Sequence, residues 1–229
     1  MDRRHFIGTT LAASVALFNF PRAQSAEGGA PAPLPKRKRT RVAFMLGEHA
    51  NVIDTCGPWE VFQDAASPDG DDAEFELYTV APEEGPLEMT GGLTILPKYS
   101  IRNAPQPNVI VVPAQKSTSE SRAWLAQASS GTDVTMSVCT GAFQLARAGL
   151  LKGFPATTHH EFFDSFAKEF PDIELRRGLR FVDNGRIATA GGLTSGIDLA
   201  LHIVSRYHGV ETAAATAAYM EYSSDSWRA

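Results

Sequence analysis

DVTMSVCTGAFQLARAGLL, residues 133–151, is the stretch whose reading decides the fold. DVTMSV reads as a buried strand. After the cysteine come the small residues Thr140 and Gly141, and then apolar side chains recur at helical spacing: Phe143, Leu145, Ala146 and Leu150. A strand that hands over to a helix this abruptly makes a tight corner at its carboxyl end, where ligands bind in parallel α/β sheets. Such a corner lifts its side chain clear of the core, which makes Cys139 a candidate nucleophile. The helix behind it offers free backbone N–H groups and a partial positive charge, so thiolate is expected to be favoured over thiol. The other possibility is a small, buried apolar cysteine.

Outward from this corner the alternation repeats. RVAFML (41–46), EFELYTVA (74–81) and NVIVVPA (108–114) read as further strands. GPWEVFQDAA (57–66), with Pro58 in its first turn, reads as a helix, as do residues 117–128, 161–170, 194–208 and 210–221. LEMTGGLTILPKYSI (87–101) predicts a glycine-punctuated hairpin beside the main sheet. LRFVDNGRIATA (179–190) predicts a second one, turning at Asn184-Gly185. Strand, helix and strand in succession imply a mainly parallel sheet covered on both faces, in one domain over residues 41–229.

Apolar residues make up 43% of the 229, enough for a sizeable core, and a net charge of −5 leaves nothing basic enough for nucleic acid. Two cysteines cannot build a disulfide framework. No CxxC, HExxH or GxxxxGK[ST] pattern occurs, so neither a metal nor a cofactor is expected. MDRRHFIGTTLAASVALFNFPRAQSA (1–26) has the build of an export signal: Arg3-Arg4, an apolar run from Leu11 to Phe20 too short to span a bilayer, and a small-residue end implying cleavage near Ser25 or Ala26. DRRHFIG resembles the twin-arginine signal, so a periplasmic protein that meets the membrane only in transit is expected. EGGAPAPLPKRKRT (27–40) reads as an extended, solvated tether.

Three stretches, in order, resemble the PfpI/ThiJ family of the class I glutamine amidotransferase-like fold: VIDTCGPWEVF (52–62), SVCTGAFQLARAGLLKGFPATTHH (137–160) and AGGLTSGIDLALHIV (190–204). Within the family the resemblance is to isonitrile hydratases and to the ligand domains of AraC-type regulators, although nothing up to Ala229 resembles the regulators' helix-turn-helix domain. The resemblance implies a three-layer, flavodoxin-like α/β sandwich, a nucleophile at Cys139, an acidic partner at Asp54 and a polar contribution from Thr140. It also implies a homodimer and a small-molecule substrate. The resulting expectation is an exported lyase that hydrates an isonitrile to an N-substituted formamide. The alternative is a non-catalytic ligand-binding or redox-sensing member of the family.

The residues themselves support Asp54. An acid just after the first strand, ahead of Gly57-Pro58, also stands at a carboxyl end of the sheet and can share a proton with Cys139; a turn or capping role is the other option. Protease-like relatives place His directly after the cysteine, and Thr140 in that position argues against peptidase activity. The pocket is expected to include Gly57, Ala114, Gln115, Gly141, His159, Gly192 and Leu193. His159, like His160, reads as a packing or hydrogen-bonding residue before a base. PAQ at 113–115 replaces the relatives' Pro-Gly-Gly turn, so the Ala114 and Gln115 N–H groups could serve an anion pocket only in a crowded space. Thr194 or Ser195 can cap the helix that follows AGGL. Cys56 reads as an inert core residue or as a resolving thiol for Cys139.

Overall fold

In the computed structural model, which describes residues 31–65 and 74–228, the apolar runs become strands and the periodic stretches become helices. The twin-arginine signal and its cleavage site lie outside the described residues. β1 (Arg39–Met45) leads to α1 (Val52–Asp64), β2 (Glu74–Ala81), β3 (Leu87–Glu88), β4 (Thr94–Ile95) and β5 (Tyr99–Ser100). β6 (Val109–Val112), α2 (Ser119–Ser129), β7 (Val134–Ser137), α3 (Gly141–Arg147) and α4 (Phe163–Glu169) follow. β8 (Phe181–Asp183), β9 (Ile187–Ala190), α5 (Ser195–His208) and α6 (Val210–Tyr219) come last.

The main sheet runs β5-β2-β1-β6-β7-β9-β8, parallel except for the edge strand β8, while β3 and β4 form a separate antiparallel ribbon. Alternate side chains of β1 feed two cores. Val42 and Phe44 pack with α1, α5 and α6 on one face; Ala43 and Met45 pack with α2, α3 and α4 on the other. The result is the expected three-layer α/β sandwich. The chain leaves β1 in one direction for β2 and returns on β1's other side as β6. Their following helices therefore part to opposite faces, and a crevice opens where the strands end.

Two local readings change. α1 opens at Val52, five residues before Gly57, because the Asn51 side chain accepts from the Ile53 and Asp54 N–H groups at 3.1 and 3.3 Å. Asp54 therefore belongs to the first turn of the helix, and Pro58 lies inside it. The described part of the tether is anchored at a few points, while Ala32, Pro33, Pro35, Lys36 and Lys38 stay exposed. The Leu34 N–H donates to the Arg206 carbonyl (2.8 Å), Arg206 donates to the Ala32 carbonyl (3.2 Å), and Arg37 pairs with Asp133 (2.8 Å). β1 itself begins at Arg39, within the stretch read as linker.

The β7–α3 corner needs close backbone approach. A Cβ on Gly141 would fall 2.1 Å from the Val112 carbonyl oxygen and 3.0 Å from that of Pro113, at the end of a wholly buried strand that cannot retreat. Gly141→Ala is expected to lower the unfolding free energy by about 3 kcal/mol in a urea titration. A loss below about 1 kcal/mol would show that the corner can relax.

Candidate active site

Cys139 sits in the left-handed region, φ 58°, a conformation that costs a residue with a side chain about 1–2 kcal/mol. Its two peptide groups are held from opposite sides. The Cys139 N–H donates to the Gly191 carbonyl at 2.8 Å, and the Thr158 hydroxyl donates to the Cys139 carbonyl at 2.9 Å. Thr158 escaped the sequence reading because one buried threonine beside another has no periodic or spacing signal. Across the crevice, Leu193 is left-handed too (φ 55°), and its backbone bears on both Cys139 and Asp54.

Asp54 is fully buried. Its Oδ2 accepts the Ala114 N–H at 3.1 Å, while Oδ1 has no hydrogen bond of ordinary geometry among the described residues. Burial pushes the carboxyl up to about 6. The Ala114 N–H, the Cys139 thiol and the Leu193 backbone offset only part of that. Cys139 is 7% exposed, and burial followed by the Asp54 charge pushes its thiol up to about 12, against the pull of the Thr140 and Leu193 backbones. The expected resting thiolate is therefore corrected: desolvation and a neighbouring carboxylate outweigh the seven-residue helix α3. The two groups lie close enough to titrate as a pair, with burial raising the proton affinity of both.

The remaining residues read as pocket separate into groups. Thr140 is the half-buried N-cap of α3, and its hydroxyl makes no capping bond. Gly192 does face a neighbour: a Cβ there would lie 2.1 Å from Cδ2 of His159, so the imidazole rests on the turn that carries Leu193. His159 Nδ1 accepts from the Glu161 N–H (3.3 Å), its ring stacks on His160 (4.4 Å), and burial with the His160 charge lowers its proton affinity. This is the packing and hydrogen-bonding role expected.

Gly57 and Gly141, by contrast, serve close packing. Gly57 lets α1 cross α5, since a Cβ would stand 2.9 Å from Ile197, and Gly141 lets α3 meet β6. The Ala114 N–H is committed to Asp54, and the Gln115 side chain turns back to accept the Gly47 N–H and donate to the Met45 carbonyl. Thr194 does not cap α5; its hydroxyl accepts from Arg180 at 3.1 Å. Cys56 is exposed, not core. It lies two residues, hence more than half a helical turn, from the inward-facing Asp54, and so points away from Cys139. Burial and Glu60 raise its thiol. Among the described residues no three His, Cys, Asp or Glu side chains gather into a metal site.

The DJ-1/PfpI family profile matches residues 40–206. The chain belongs to the DJ-1/PfpI family. It is 32% identical to the isonitrile hydratase of Pseudomonas putida over 190 residues, covering 80% of this chain and 78% of that one. It is 28% identical over 188 residues to the HTH-type transcriptional regulator GbdR of Pseudomonas aeruginosa, but spans only 51% of that protein's length. Among solved structures it superposes on a ThiJ/PfpI family protein from Pseudomonas syringae with a TM-score of 0.72 and 25% identity, covering 90% of this chain and 84% of the other. Drosophila melanogaster DJ-1beta, at 17% identity, shares the fold with a TM-score of 0.70, covering 81% of this chain and all of its own.

In this DJ-1/PfpI chain, the Asp54 carboxyl is one group through which pH acts on stability. Its folded value of about 6 lies above the ordinary 3.8, so its stabilising contribution is complete below about pH 4 and is lost as pH rises through 6. Asp54→Asn should flatten that part of the stability profile and raise the unfolding free energy at pH 8 by up to about 3 kcal/mol. Parallel urea titrations of the two proteins at pH 4 and pH 8 check it. A variant that is less stable at both pH values contradicts the assignment.

Proposed function

We propose that the protein is a cysteine-dependent enzyme that adds water to a small carbon–nitrogen electrophile, with an isonitrile as the substrate. The observation that supports this most directly is the buried Asp54 carboxyl beside the Cys139 thiol at the end of the sheet. The 32% identity to an isonitrile hydratase supplies the substrate class. The thiol sulfur adds to the isonitrile carbon while Asp54 takes the thiol proton and returns it to that carbon, giving an enzyme-bound thioimidate. Asp54 then draws a proton from water as the oxygen adds to the same carbon. The nitrogen gains a proton, the carbon–sulfur bond breaks, the thiol recovers its proton, and an N-substituted formamide leaves. Thr140, its hydroxyl uncommitted to the helix cap, holds the tetrahedral intermediate.

A second reading, as a ligand-binding sensor, draws on the similarity to GbdR. Redox sensing draws less support, since a buried thiol kept protonated reacts slowly with peroxide. We further propose that residues 1–26 export the protein to the periplasm by the twin-arginine route and that the protein works as a homodimer. The paired arginines and the apolar run support the first; membership of a family in which dimers are common supports the second.

Purified protein is expected to turn over simple alkyl isonitriles, detected as formamide release. Cys139→Ser should abolish turnover, and Asp54→Asn should slow it by about a hundredfold or more. Because the reacting form is thiol plus carboxylate, kcat/KM should rise with pH through about 6 and then stay level well past pH 9. A rise centred on the ordinary thiol range of about 8.5 would instead indicate a free thiolate. Absence of turnover across isonitriles, nitriles and amides, together with saturable binding, would favour the sensor.

A further inference from the structure

The end of the sheet that bears Cys139 carries a second hollow. A cavity of about 440 Å³ lies where β1, β2 and β6 end, walled by residues 47–48, 81–87 and 116–118. Asp54, Cys139 and Leu193 do not line it. Its volume falls in the range of about 300–1,000 Å³ typical of small-molecule sites.

Two of its three walls are laced together. Gln115 accepts the Gly47 N–H and donates to the Met45 carbonyl (2.8 Å). The Lys116 N–H donates to the Glu48 carbonyl (2.9 Å), and the Asn51 N–H donates to the Ala114 carbonyl (2.8 Å). The loops approach so closely that a Cβ on Gly47 would fall 2.3 Å from the Lys116 carbonyl oxygen. The hollow is therefore held open by its own backbone, before any ligand arrives.

Its charges are unevenly committed. Glu83 pairs with Arg102, and Glu84 accepts from the Asn103 amide at 3.4 Å. Glu48 and Lys116 have no side-chain ion pair or hydrogen bond among the described residues, although their backbones are bonded to each other. Opposite them, in the loop after β2, Pro82, Pro86 and Leu87 provide an apolar wall. One uncommitted carboxylate and one uncommitted ammonium, both exposed to solvent, beside a hydrocarbon surface complement a ligand that carries both charges on groups attached to one carbon, with an apolar tail. A simple amine would meet Lys116 repulsively, and a simple carboxylate would meet Glu48 the same way. We propose that this cavity is a second binding site, separate from the Cys139 crevice, for a zwitterionic α-amino acid with an aliphatic side chain.

Calorimetric titration of the full chain with L-norleucine, hexanoate and pentylamine tests this, because hexanoate is L-norleucine without its amino group and pentylamine is L-norleucine without its carboxylate. L-norleucine is expected to bind at least about tenfold more tightly than either singly charged probe. Glu48→Gln and Lys116→Met should each weaken it by about tenfold. Binding should survive in Cys139→Ala, and amide resonances of Gly47 and Lys116 should shift on titration. Equal affinity for the three probes, or no saturable binding of L-norleucine up to about 10 mM, overturns the proposal. So does unchanged affinity in both charge variants, loss of binding in Cys139→Ala, or resonance shifts confined to residues 139–141 and 192–193.

Discussion

The left-handed backbone of Cys139 is the constraint on which the rest of the site depends. At the end of β7 the chain must turn sharply, and a cysteine is held there at a cost of about 1–2 kcal/mol that glycine would avoid. Such a conformation persists only if its surroundings over-determine it. Here the Gly191 carbonyl fixes the N–H, the Thr158 hydroxyl fixes the carbonyl, and Gly141 lets α3 start against β6. The β9–α5 loop is thereby pinned beside the sulfur, which brings Gly192, Leu193 and the His159 ring to the same crevice. One strained residue thus organises contributions from three separate segments.

The second consequence is electrostatic. Seating the sulfur on a corner between two layers places it at 7% exposure, next to a carboxyl with no exposure at all. Water cannot screen the pair: burial opposes the ionisation of both, the Asp54 charge further opposes that of the thiol, and the thiol's hydrogen bond to Asp54 favours the carboxylate. The carboxyl moves to about 6 and the thiol to about 12, leaving a wide pH range in which one proton belongs to the two jointly. Under the proposed reaction such a pair would need no resting thiolate, because the adjacent carboxylate would take the thiol proton as the electrophile arrives. The low reactivity implied for the isolated thiol also protects it from adventitious oxidation.

Much of the fold was legible because each buried strand is a short apolar run and each helix has its own period. The Asn184-Gly185 hairpin and both final helices fall where the sequence puts them. The corner at Cys139 was legible for the same reason: strand and helix signals abut there. Three things were not. The start of α1 is set by one side-chain cap at Asn51, which outweighs the glycine and proline further on. The protonation of Cys139 depends on how much protein lies over it, and no local pattern encodes that. The close packing of Gly57 and Gly141 was not legible either, because a motif stretch does not show which neighbouring element will meet a glycine.

Gln115 joins these points. The Ala114 N–H is held by Asp54, and the Gln115 side chain stitches the turn after β6 to the loop after β1. The loops after β1 and β6 are the pair that must diverge in this topology, so closing the gap between them divides what would be one crevice. On one side lies the sulfur with its carboxylate; on the other, the hollow edged by Glu48 and Lys116. The Ala114 N–H also lowers the proton affinity of Asp54, so the stitched turn acts on the proton-sharing pair as well as on the hollow. If the proposed ligand displaced this turn from the hollow, the effect would reach Asp54 through that single N–H.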